Sequence, residues 1–145
     1  SKIGGFKYND QEIEFAKKIA STLEKPLDMK YIHNVAPYDV NPQGIGGSTD
    51  VGDVSYTVPT AGLRGATWVP GTPAHSWQAV AAGGTTIGLK GMMQAAKALT
   101  LSGIELLEKT EIIGKIKEEF DEIRGEDFNY VPLLGDREPA LDYRN

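Results

Sequence analysis

The sequence has no cysteine, so disulfides and thiolate metal sites are excluded. It has only two histidines, His33 and His75, so any imidazole chemistry falls to one of them. No apolar run approaches the ~20 residues a membrane-spanning helix needs, and no secretory leader is visible. The expected compartment is therefore the cytoplasm. Positive charge is also in deficit, with 15 Lys and Arg against 20 Asp and Glu and a net charge of −5. That balance argues against nucleic acid and anionic membrane surfaces as partners. What remains is an ordinary globular composition, 40% hydrophobic and 24% charged. At 145 residues the chain suits a single compact unit that buries about two-thirds of its unfolded surface.

Local patterns predict the following order of elements. Asn9 and Glu12 form a capping-box pair ahead of Ile13, Ala16, Ile19, Ala20 and Leu23 at helical spacing, which predicts a helix over 10–24. Pro37 and Pro42, with Asp39 and Asn41 between them, mark a loop, and a short extended piece is expected around Tyr31. Val54, Tyr56 and Val58 alternate with Ser55 and Thr57, which predicts a strand. A second strand is expected over 64–69, with Ala66 and Trp68 on one face. Ser76 is placed to cap a short helix through Ala82. The longest helix is predicted from Thr85 or Thr86 to near Lys109, with apolar residues, Met92 and Met93 among them, on more than one stripe and therefore covered on most sides. Gly88 and Gly91 would admit a second backbone against it. Thr110 is placed to cap a last helix striped by Ile112, Ile113, Ile116, Phe120 and Ile123 and ended by Gly125. In the tail, Tyr130, Leu133 and Leu134 are expected to tuck in.

Special residues concentrate between Gly44 and Gln78. The glycine-rich loop from Gly44 to Asp53 can bring backbone N–H groups close to a carboxylate or phosphate, and Asp50 and Asp53 can ligate a metal or cap turns. Its spacing fits neither a P-loop nor a dinucleotide fingerprint. His75 leaves an expected strand and precedes a helix start, a position where a neutral imidazole can ligate zinc or simply pack and cap. Spacing alone leaves both readings open. His33 has no acidic neighbour before Asp39 and reads as structural, and Glu118 and Glu119 read as a solvated helix face.

Three segments together resemble one enzyme group. G-G-S-T-D over Gly46–Asp50 is similar to the G-G-x-S-D loop of the co-catalytic zinc aminoacylases and carboxypeptidases. G-T-P-A-H-S-W-Q, ending at Gln78, resembles the run that carries their final metal-binding histidine. With G-D-V-S-Y-T-V-P-T-A before it and I-G-L-K-G-M-M-Q-A-A-K-A-L (87–99) after it, the likeness narrows to the p-aminobenzoyl-glutamate hydrolase branch of the amidohydrolases.

The resemblance implies an α/β catalytic domain with an inserted lid, two zinc (or manganese) ions, a bridging aspartate and a glutamate general base. It implies hydrolysis of an N-acyl amino acid or dipeptide-like amide in an oligomeric parent. His75 would carry over as the last metal ligand, and Gly46, Gly47, Ser48 and Thr49 as the border of the substrate pocket. The group's H-x-D motif and E-E pair are absent, and His33 is followed by Asn34 and Val35. The expectation is therefore the carboxyl-terminal portion of a catalytic domain, with helices packed on a few strands of a larger sheet and no activity alone. The competing expectation is a free-standing, non-catalytic module holding a small anion at its glycine loop.

Overall fold

A computed structural model describes residues 3, 5, 7–35, 37–38 and 49–142. Among them there are helices and no strand. The order is α1 (Asp10–Ala20), a 3-10 turn (Met29–His33), α2 (Val51–Thr57), α3 (Trp77–Gly83), α4 (Thr86–Glu108) and α5 (Thr110–Arg124). The expected α/β architecture is thus overturned. The chain divides into two units, residues 1–42 with 62–108, and residues 43–61 with 109–145.

The first unit holds the core. Asn9 accepts a hydrogen bond from the Glu12 N–H at 2.9 Å, and Glu12 Oε2 accepts one from the Asn9 N–H at 2.7 Å. This closed capping box starts α1 where the sequence predicts it. The helix ends at Ala20 rather than Glu24, and single turns closed by Thr22 and Leu23 follow it. Ala16 and Ile19 from α1 pack with Tyr8, Val69, Ala82 and Ile87, and Phe15, Met29 and Ile32 flank them. Across this core Glu12 also accepts from the Thr86 hydroxyl at 2.6 Å and from Lys90 Nζ at 2.5 Å. Gln78 Nε2 donates to Thr22 Oγ1 at 3.3 Å and so ties α3 to the end of α1.

The sequence around Tyr31 forms the 3-10 turn, not an extended piece. Residues 64–69 form no strand and lie against α4 instead. A Cβ on Gly91 would come within 2.8 Å of the Ala66 carbonyl carbon and 2.9 Å of Thr67 Cγ2, so only glycine lets this segment approach. The N-terminal end of α4 is buried at Ile87, Gly88 and Gly91. Beyond it Met92, Met93, Leu99 and Leu107 are all at least half exposed, which corrects the expectation of a covered helix with a methionine core.

In the second unit the predicted strand over 54–58 falls on the last turn of helix α2, with Val58 as its C-cap. Val54 and Val58 are four apart, so they satisfy a helical period as well as an alternating one. Local bonds favour the helix: Thr49 Oγ1 accepts from the Val51 N–H, Ser55 donates to the Gly52 carbonyl, and Thr57 donates to the Val54 carbonyl. Tyr56 stacks on Phe128 and Tyr130, with centroids 5.4 and 6.0 Å away. The Tyr130 hydroxyl donates to Asp53 Oδ1 at 2.5 Å. Thr110 is the first residue of α5 and not its cap; Lys109 holds the cap position, and its side chain makes no capping bond to the helix start. Gly125 ends the helix at φ 82°, and no residue of α5 is buried. Tyr130 is partly covered, whereas Leu133 and Leu134 are exposed, not tucked in.

Candidate functional site

The site is built on the turn between Val69 and α3. Val69 is buried in the core and anchors the incoming segment. Gly71, at φ 86°, lets the chain pass the backbone of residues 25–27, where a Cβ would lie 2.8 Å from the Lys25 carbonyl oxygen. The Ser76 hydroxyl donates to the Pro73 carbonyl at 2.7 Å and accepts from the Ala79 N–H at 3.2 Å, closing the turn and capping α3 as the sequence predicts. Between them His75 sits at φ 58°, the one non-glycine residue with positive φ among those described. A non-glycine residue in this left-handed region is held there by its surroundings, and such positions gather at ligand-binding sites.

His75 is exposed and lines a cavity of about 490 Å³ with Trp68, Ser76, Trp77, Ala79 and Val80. The face of α3 that enters the cavity is set by helical spacing. Gln78, Ala79 and Ala82 are buried toward the core, while Trp77 and Val80, three residues apart, stay exposed. The cavity is therefore lined mostly by apolar residues, with an imidazole and a hydroxyl among them.

Of the other residues implicated by sequence, Gly46, Gly47 and Ser48 lie outside the described residues. Thr49 is exposed and spends its hydroxyl on the start of α2. Asp50 makes no side-chain cap bond, and Asp53 accepts from Tyr130. Thr49 and His75 fall in different units. Glu118 and Glu119 are exposed, as a solvated face should be. Trp68 and Trp77 were not singled out by spacing; their signal is that the sequence has only two tryptophans, both close to His75.

A two-metal centre needs several carboxylates and imidazoles together. Among the described residues no three of His, Cys, Asp and Glu come together. These residues therefore do not by themselves fit such a centre, and His75 can supply one ligand at most. Among them, too, no helix is long and apolar enough to cross a membrane.

By sequence the chain is similar to a hydrolase. That relative is a subunit of p-aminobenzoyl-glutamate hydrolase from Escherichia coli (strain K12), 28% identical over 157 residues. The match takes in 92% of this chain and 33% of the relative, so the chain spans about a third of the length of the curated protein it matches. The relative carries the name of the branch that the motifs around His75 resemble. No protein-family model matches the chain, and no solved structure matches it.

Proposed function

We propose that this chain is part of a metal-dependent amidohydrolase that cleaves an N-acyl amino acid or dipeptide-like amide of the p-aminobenzoyl-glutamate kind. The observation that carries the reading is His75, held at positive φ on the rim of a concave surface within the G-T-P-A-H-S-W-Q run. The relative's name supports the reaction class. In this reading His75 is one ligand to a zinc or manganese ion, and its co-ligands and the general base come from polypeptide outside this chain. Such an ion would polarise the amide carbonyl and activate water. The chain's own part is to fix the imidazole: the Ser76–Pro73 and Ser76–Ala79 bonds set the turn, and Val69 and Ala79 root it in the core. Gly46, Gly47, Ser48 and Thr49 are proposed to border the substrate, and the hydrolase to work as an oligomer in the cytoplasm.

The test uses the full polypeptide encoded with this chain. It should bind zinc or manganese and hydrolyse p-aminobenzoyl-glutamate or related N-acyl amino acids, whereas the 145-residue chain should do neither. Metal-dependent turnover that purifies with the 145-residue chain would overturn the division of ligands.

A further inference from the structure

We propose that Trp68 and Trp77 form an aryl-recognition wall that selects amides with an aromatic acyl group. This rests on the amidohydrolase reading for the identity of the ligand and adds the residues that choose it. Tryptophan is among the more buried residue types on average. Here both tryptophans of the sequence line the cavity that His75 borders, and they are 37% and 60% exposed. Their placement is fixed from behind. Trp68 directly precedes the buried Val69, and Trp77 opens α3, which is held to the core by the buried Ala82 and by the Gln78–Thr22 bond.

The chemistry of the lining narrows the ligand. Among the described residues the cavity is walled, besides His75 and Ser76, by Trp68, Trp77, Ala79 and Val80, with no lysine, arginine or carboxylate. A glutamyl carboxylate finds no cationic partner there, so the part of the substrate that enters is its neutral end. Indole faces favour a flat aromatic group over an alkyl one, through offset or edge-to-face packing. A benzoyl-type acyl group packed on the indoles would sit in the same cavity that His75 lines.

Because the sequence has no other tryptophan, its intrinsic tryptophan emission reports this cavity alone. N-benzoyl-glutamate added to the chain should change that emission saturably, and N-acetyl-glutamate should not. Trp68→Leu and Trp77→Leu each leave one reporter and should weaken benzoyl binding about tenfold, the scale of lost apolar complementarity in a pocket. Trp77→Phe keeps a ring and should retain most of it, which separates ring packing from loss of fold. Equal responses to the two acyl groups, no saturable response, or binding indifferent to all three substitutions would overturn the wall. The hydrolase reading fails differently. If the full polypeptide binds benzoyl-glutamate through these residues without using His75 for metal, the wall stands and the metal assignment falls. If it hydrolyses aryl and alkyl amides with kcat/KM ratios unchanged by the Trp variants, the wall falls and the hydrolase stands.

Discussion

Glu12 Oε2 and Lys90 Nζ lie 2.5 Å apart, joining α1 to α4 across 78 positions of sequence. Glu12 is 5% exposed and its partner about a third exposed. Burial pushes the Glu12 carboxyl up, but hydrogen bonds from Lys90, Thr86 and the Asn9 N–H outweigh it and hold the group below its ordinary value. A carboxyl depressed in the folded state stabilises the fold above its unfolded pKa and loses that contribution as pH falls through the folded one. Unfolding midpoints should therefore hold near neutrality and drop as pH falls below the ordinary glutamate value of 4.5. Lys90→Met should cost about 1–3 kcal/mol at neutral pH, less than a fully buried pair because Lys90 is partly solvated. Denaturant titrations at several pH values check both, and a Lys90→Met variant as stable as the original would remove the pair from the account.

Two glycines of the same helix should respond in opposite directions. Gly103 has nothing within 4 Å of a built Cβ, so Gly103→Ala should stabilise α4 by about 0.5–1 kcal/mol from helix propensity. Gly91→Ala gains the same propensity but drives a methyl into the Ala66 carbonyl and Thr67, and should cost about 1–3 kcal/mol net. Urea midpoints of the two variants measured together decide this; equal shifts would mean that residues 64–69 do not rest on α4.

The Tyr130–Asp53 bond should be visible in titration. That bond, followed by burial and the Asp53 charge, raises the Tyr130 hydroxyl above the ordinary tyrosine value. Asp53→Asn should bring it back down, read by NMR of the Tyr130 ring through alkaline pH, with Tyr130→Phe to assign the signal. An unchanged titration would separate the loop after α5 from α2.

How much of this could be read beforehand depended on how local the cause was. The Asn9–Glu12 capping box and the Ser76 cap are set by residues three apart and were legible. So were the start of α4, the Gly125 stop and the close approach at Gly91. The strand expected over 54–58 failed because the run is short and its outer pair, Val54 and Val58, four apart, fits a helical period as well as an alternating one. Hydroxyl bonds from Ser55 and Thr57 back to the preceding turn accompany the helical outcome. The expected cover over Met92, Met93 and Leu99 failed for another reason. Apolar stripes state that a face can be buried, not what buries it, and these side chains are exposed in this chain. At the site the motif marked His75, while the shared cavity of Trp68 and Trp77 required the fold of residues 69–79.

The most direct test is the metal content of the full polypeptide with and without His75. The account predicts that His75→Ala keeps the fold, because an exposed side chain is removed, yet lowers bound metal and cuts kcat/KM by more than about a hundredfold, beyond the loss typical of a residue that only orients a ligand. His33→Ala, at the end of the 3-10 turn, serves as the histidine control and should leave both unchanged. Full metal occupancy and near-normal kcat/KM in His75→Ala would contradict the account and reduce His75 to a turn residue ahead of α3.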